Sequence, residues 1–438
     1  MAQANSKQQI GIYIATSLVV GNMIGSGIYM LPANLAQYGG ISIFGWLISG
    51  AGAILIALLF GRLSKLVPKT GGPYQYPKEG FGEFAGFLSG WGYWVSILLT
   101  NASIATIFSS YLLVFLPSWQ GSHFAHLFIT LAAIWGLTWV NTRGVHVGGK
   151  LQLVTTLLKV VPLLALTIAG LFYFNPAYFV PMNESGQSDL AAIAASVTLT
   201  LFAFLGIESA TVPAGNIKLP KTTIPRATLL GTLFTIGVYV LASITIMGMM
   251  PHAALAKSSA PLADAAYILW GDFGTYFVGV GAVVSTFGAL NGWILVQGQI
   301  PLSMADDKLM PPVFNRLSKQ KFPVLGLVLS SGLISIIVLT NQSKGLVELF
   351  ALLILLSTFL ALISYLFSSL AEVQILIRQQ PAGWRQKLIP AFIAGMPVFG
   401  FVMWAFYGSG LEIVFYGFMA LILGIPFYIW AKIEQTKI

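Results

Sequence analysis

The sequence predicts an all-α polytopic membrane protein with twelve transmembrane helices. Two observations carry that expectation. Of 438 residues, 57% are hydrophobic and 8% charged, too few polar groups to clothe a soluble chain of this size. Apolar windows of about 20 residues, long enough to cross a hydrocarbon core, recur along the whole chain between Gly, Pro and charge clusters. Transmembrane β-strands would alternate over about 10 residues, whereas these runs are continuous.

The first window, 10–33, follows the polar stretch MAQANSKQQ and lacks a small-residue cleavage site, so it reads as a retained span with no soluble domain before it. Windows 41–64 and 84–116 flank the loop KTGGPYQYPKEGFG. Windows 124–141 and 150–174 follow, separated by a short segment holding Arg143 and Lys150. KLPKTTIPRAT follows window 191–214 and runs into window 225–250, and window 275–303 leads into MADDKLMPP. Windows 323–340, 346–371, 388–408 and 411–432 complete the twelve, and no soluble domain is expected after them.

Placing both termini in the cytoplasm puts 19 of the 22 Lys and Arg residues on that side, leaves Lys257 and Lys344 outside, and leaves Lys159 within a span. The positive-inside rule demands such a split, and a shift of one span would invert it. The net charge of +9 is therefore topological, and no basic stripe interleaved with aromatics points to nucleic acid. The absence of Cys removes disulfides and thiolate metal sites. His123, His126, His146 and His252 lie at loops or span ends without metal-ligand spacing, so neither a metal nor a cofactor is expected.

Ionisable groups inside a span are expensive and mark function. Among the 13 acids only Glu208 falls within a span, and Lys159 is its basic counterpart in span 5. The bland alternative is that they pair with each other or with backbone carbonyls. Span 1 is interrupted by Gly25-Ser26-Gly27 and span 6 by Phe204-Leu205-Gly206-Ile207-Glu208, residues that tolerate unwinding. Broken helices at matching places in two halves point to an inverted repeat, here residues 1–174 (spans 1–5) against 175–371 (spans 6–10), with 372–438 carrying spans 11 and 12. A small-residue packing face explains span 1 less well, because a GxG spacing does not stay on one side of a helix. The half-helix after Gly27 begins near mid-membrane, where its free N–H groups and positive dipole end suit a carboxylate. The outer half of span 6 ends near Phe202–Leu205 with unpaired carbonyls that suit an ammonium. Together the two breaks describe a site for an α-amino acid.

At these residues the chain resembles the amino acid–polyamine–organocation (APC) superfamily and, within it, the basic amino acid/polyamine antiporter branch. The resemblance rests on GNMIGSGIYMLPANLAQYGG, KTGGPYQYPKEGFG, FAFLGIESA, KLPKTTIPRAT and MADDKLMPP, and it covers nearly the whole chain. It implies a LeuT-like five-plus-five inverted repeat and secondary active transport by alternating access. It also implies that Ser26 and Gly27 meet the substrate carboxylate, and that the carbonyls of Met23, Phe202 and Leu205 meet its amino group. Asn101 and Ser357 match residues that receive the substrate's far end in the arginine/agmatine antiporters; interhelical hydrogen bonding is their bland reading. Trp293 matches a gate tryptophan able to stack on an aliphatic stem and attract a cation. Tyr93, Glu208 and Tyr365 match a gate in which the glutamate senses protons, its protonation loosening the bonds to the tyrosines.

Two departures qualify the substrate. Phe202 stands where the arginine/agmatine antiporters close with a tryptophan, and the span 3 lining reads Ser96, Ile97 and Ile104. Lys159 resembles the span 5 lysine of proton-coupled permeases and L-type exchangers, in which the ammonium stands in for a sodium ion, so sodium coupling is not expected. The leading expectation is exchange of a cationic amino acid or its amine with proton-sensitive gating. A proton-coupled symporter of neutral or broad-range amino acids using Lys159 is the alternative. An embedded enzyme would need a nucleophile–base pair or metal cluster, and a channel a ring of filter residues. The resemblance implies a bacterial inner membrane, with lipids and a small amino acid or amine as partners. It leaves the oligomeric state open, a homodimer included.

Overall fold

In a hydrocarbon core a spanning segment satisfies its peptide groups only by bonding within a helix or a closed barrel, so apolar runs of this length fold as helices. A computed structural model describes residues 10–67, 69, 71–143, 149–211, 217–318, 322–340, 345–381 and 383–436, with the backbone alone for 149–155. Lys7, His146, Lys319, Lys321, Lys344, Lys437, the Lys150 side chain and the end of window 191–214 lie outside that description.

Span 1 is a helix pair, α1 (Ile12–Met23) and α2 (Ser26–Ala36), followed by α3 (Ser42–Leu66), the short α4 (Gln75–Phe81) and α5 (Glu83–Leu113). Then come α6 (His123–Thr142), α7 (Gly149–Gly170) and α8 (Asp189–Leu201). Two 3₁₀ turns, Phe202–Phe204 and Ile207–Ala210, continue α8. The chain proceeds through α9 (Pro220–Met249), α10 (His252–Leu255), α11 (Pro261–Asp306), α12 (Val324–Thr340), α13 (Leu346–Gln379), α14 (Trp384–Gly408), α15 (Leu411–Ile422) and α16 (Ile425–Thr436). Among the described residues, 11 helices or continuous helix pairs are long and apolar enough to cross a membrane. The predicted ninth span, α12, is apolar but has 17 residues, about 25 Å at 1.5 Å per residue against a core of about 30 Å.

Three differences from the sequence expectation have physical causes. The α11 helix begins at Pro261 rather than near 275, because Gly271 (φ 60°, ψ −145°) kinks it and a first leg holding Asp264 precedes the apolar run. A helix, α4, hides in the polar loop after α3 and buries Tyr76. The α13 helix runs to Gln379, so Glu372 joins Asp264 and Asp272 of α11 among the acids that the observed helices bring into a span, and Glu208 is not alone. Glu372 is tolerated there because Arg62 of α3 clamps it with Nε and Nη2 at 2.7 and 2.8 Å.

The core that positions the two breaks is built by α1 against α7 and α9, α3 against α8 and α9, and α5 against α11 and α13. The same face of the bundle carries Arg62–Glu372 and a cluster on Asp307, which accepts from Tyr74 Oη (2.9 Å), Gln75 Nε2 (2.6 Å) and Lys78 Nζ (2.8 Å). Burial, and then the Asp307 charge, push the Tyr74 phenol above its ordinary range, so it remains a donor there.

Lys159 holds the first break open. Its side chain is 2% exposed, and its ammonium donates to the carbonyls of Gly21 (2.5 Å) and Ile24 (3.0 Å), two acceptors freed where α1 ends. An ammonium at a helix C-terminus also meets the negative end of the dipole. Lys159→Met takes the ammonium from the Gly21 carbonyl, at a cost of about 1–3 kcal/mol, and leaves Ile24 with only the Ser285 hydroxyl at 3.3 Å, so the detergent-purified variant should melt several degrees below the parent. An unchanged melting temperature would show that the ammonium is not a structural partner.

Candidate functional site

Local sequence makes the two breaks. After Met23 the chain leaves helical geometry at Ile24 (ψ 85°) and Gly25 (φ −128°, ψ −133°) and re-enters it at Ser26. In the second break Leu205 is extended (ψ 135°) and Gly206 is left-handed (φ 108°), where a Cβ would be strained and would stand 3.2 Å from Asn22. The breaks thus touch one another, Gly206 against Asn22 and Gly27 against Ala203.

Between them lies a small buried cavity lined by Asn22, Met23, Gly25, Ser26, Gly27, Thr100, Ile104, Phe202, Ala203, Leu205 and Trp293. Its space for a water-sized body is about 10 Å³, room for about one water molecule, so an amino acid enters only if the walls part. Larger hollows of about 510 Å³ between α1, α7 and α9 and between α7 and α11 are largely apolar and hold none of the break residues.

The geometry at the mouth of α2 is that of a helix N-terminus with no side-chain cap, and the Ser26 hydroxyl is buried without a hydrogen-bond partner. Across the cavity the Met23 carbonyl accepts from Gly25 N–H (2.8 Å) and from the Tyr239 hydroxyl of α9 (2.5 Å). The Phe202 carbonyl accepts from Leu205 N–H at 3.0 Å, and the Phe202 ring meets Phe350 of α13 edge-on at 6.0 Å. Trp293, buried on α11, forms another wall.

Glu208 is fully buried and takes three donors: Tyr93 Oη on one oxygen (2.7 Å), and Tyr365 Oη (2.6 Å) and Gly206 N–H (3.3 Å) on the other. These bonds tie α5 and α13 to the second break. The two intramembrane charges singled out in the sequence therefore have separate partners, tyrosines for Glu208 and α1 carbonyls for Lys159.

Asn101 and Ser357 occupy a different layer. Asn101 Nδ2 donates to Gln297 Oε1 at 2.7 Å and its Oδ1 is buried without a partner. Ser357 Oγ donates to the Ser96 carbonyl at 2.9 Å and lies 2.8 Å from Thr100 Oγ1, which brings it one residue from the cavity wall; neither Asn101 nor Ser357 lines the cavity itself. Sequence reasoning missed Thr100, Ala203, Gln297 and Tyr239. A hydroxyl or amide inside an apolar span was the available signal for three of them. Among the described residues no group of three or more His, Cys, Asp or Glu could hold a metal.

Comparison with known proteins gives the family of the chain. Residues 10–429 match the family described as amino acid permease. A putative arginine/ornithine antiporter of Bacillus subtilis is 32% identical over 405 residues, covering 84% of each chain. A cadaverine/lysine antiporter of Escherichia coli is 34% identical over 370 residues, covering 83% of each. A putrescine transporter of Escherichia coli is 31% identical over 436 residues, covering 98% of this chain and 97% of that one. These relatives move amino acids or amines rather than transform them. The chain is a multi-pass membrane transporter, not an enzyme, and belongs to the amino acid permease family.

Proposed function

We propose that this transporter exchanges a cationic amino acid for another, or for its amine, by alternating access through the site between the two breaks. The facing of an uncapped helix N-terminus, with Ser26 unpartnered, and the carbonyl-rich turn at Phe202–Leu205 carries this reading. A carboxylate at Ser26 and Gly27 and an ammonium at the Met23, Phe202 and Leu205 carbonyls match that polarity. Trp293 stacks on the substrate's stem, and Asn101 and Ser357 receive its far end through the layer that includes Thr100. Arginine/ornithine, cadaverine/lysine and putrescine are the cargoes in the relatives' descriptions, all cationic.

The architecture in this reading has α12 as a twelfth crossing. Asp307, at the end of α11, accepts from Gln75 of α4, whereas Val347, after α12, accepts from Asn34 at the far end of α2. These two contacts support a change of face across α12. Residues 1–174 and 175–371 are then the two repeats, 372–438 the appended pair of spans, and the basic face, with both termini, is cytoplasmic in a bacterial inner membrane.

Glu208 is the proton-sensitive element. A proton on either oxygen replaces an acceptor by a donor, so the tyrosine on that oxygen must reverse or release its bond, which weakens the tie of α5 or α13 to the second break. The alternative, proton-coupled uptake of neutral amino acids through Lys159, gains no support from the basic cargoes of the relatives.

Counterflow tests the substrate. Proteoliposomes preloaded with unlabelled arginine, lysine, ornithine, agmatine, cadaverine or putrescine should accelerate entry of labelled arginine or lysine without an ion gradient, and neutral preloads should not. Exchange confined to neutral amino acids would overturn the reading and move Lys159 to the centre of the mechanism. In the same assay Glu208→Gln should flatten the pH profile of exchange, and a profile identical to the parent's would remove Glu208 from proton sensing.

A further inference from the structure

The Met23 carbonyl is already saturated. A carbonyl oxygen offers two lone pairs, and here Gly25 N–H takes one at 2.8 Å and the Tyr239 hydroxyl the other at 2.5 Å. The tyrosine is held rigidly for this bond. It is fully buried on α9, with its ring 5.2 Å from Trp46 of α3 and 5.6 Å from Phe204 of the second break. It therefore braces both breaks at once, the first through its hydroxyl and the second through its ring.

We propose that Tyr239 is a positioning residue that competes with the substrate's ammonium for the Met23 carbonyl. The inference rests on the reading above only in placing an ammonium at that carbonyl. Substrate that binds there must displace the phenol, which lowers apparent affinity. When substrate leaves, the hydroxyl returns as the second donor beside Gly25 N–H and refills the lone pair the ammonium vacated, so the walls can close and the carrier can reorient without cargo. The strength of this one bond thus sets the balance between obligatory exchange and net flux. A tyrosine whose hydroxyl merely filled space would leave that balance unchanged.

The test uses the full-length transporter in proteoliposomes and whichever basic amino acid the parent exchanges. Tyr239→Phe deletes the hydroxyl and keeps the ring packing. It should lower KM for exchange on the order of 5- to 10-fold, the equivalent of about one neutral hydrogen bond, and lower the ratio of efflux into substrate-free medium to exchange by a similar factor. Because that ratio compares two fluxes of the same vesicles, it does not depend on how much variant folds. Incorporating 3,5-difluorotyrosine at 239 makes the phenol a stronger donor and should shift both quantities the opposite way. A raised KM in Tyr239→Phe would mean that the hydroxyl presents the carbonyl to substrate, and an unchanged ratio would mean that it plays no part in reorientation; either overturns the proposal. Failure of the parent to exchange any basic amino acid would instead be a failure of the underlying substrate reading.

Discussion

A peptide group that leaves its helix inside a bilayer must find another partner, and the architecture of this transporter follows from meeting that demand twice. At the first break the freed carbonyls go to Lys159, Ser285 and Tyr239, which lie on α7, α11 and α9. At the second break Gly206 N–H goes to Glu208, which is anchored by Tyr93 and Tyr365 on α5 and α13. Each unwound stretch is thus held by helices distant in sequence. Motion of any of those helices changes the partners available at mid-membrane, and a ligand with opposite charges at neighbouring atoms can replace some of them.

The two intramembrane charges solve different parts of this problem. Lys159 donates to two carbonyls at a helix C-terminus from a flexible stem, a task that a neutral side chain performs less well. Glu208 is an acceptor for three donors, Tyr93 Oη, Tyr365 Oη and Gly206 N–H. Both are buried beyond the reach of solvent, so each is stable only while its partners remain in place. The closure on the basic face follows the same logic: Arg62 neutralises Glu372, and Asp307 gathers Tyr74, Gln75 and Lys78 from the segment around α4.

Much of this was legible in the residues. The composition and the regular apolar windows point to a helical membrane bundle, and Gly25-Ser26-Gly27 and Gly206 mark the breaks because glycine is the residue that permits unwinding. The Tyr93–Glu208–Tyr365 set came from resemblance, and the observed bonds of 2.7 and 2.6 Å bring those three side chains together. Sequence could not show that Met23 already has a phenol on its carbonyl, since a tyrosine 216 positions away carries no local signal of it. Nor could it show that Glu372 lies within a helix, because an acid near the end of an apolar window looks like a loop until Arg62 is placed against it. Asn101 and Ser357 illustrate the remaining gap: the resemblance pointed to them, but whether a polar group faces a cavity or a neighbouring helix depends on rotations that packing alone sets.

The central claim is that the paired breaks form one amphoteric site, anion-binding at α2 and cation-binding at the turn after α8. A structure determined with the transported amino acid bound tests this most directly. The account predicts a carboxylate within hydrogen-bond distance of the Ser26 and Gly27 N–H groups and an ammonium against the Met23, Phe202 or Leu205 carbonyls. A substrate bound in the reverse sense, or seated away from both breaks, would contradict it.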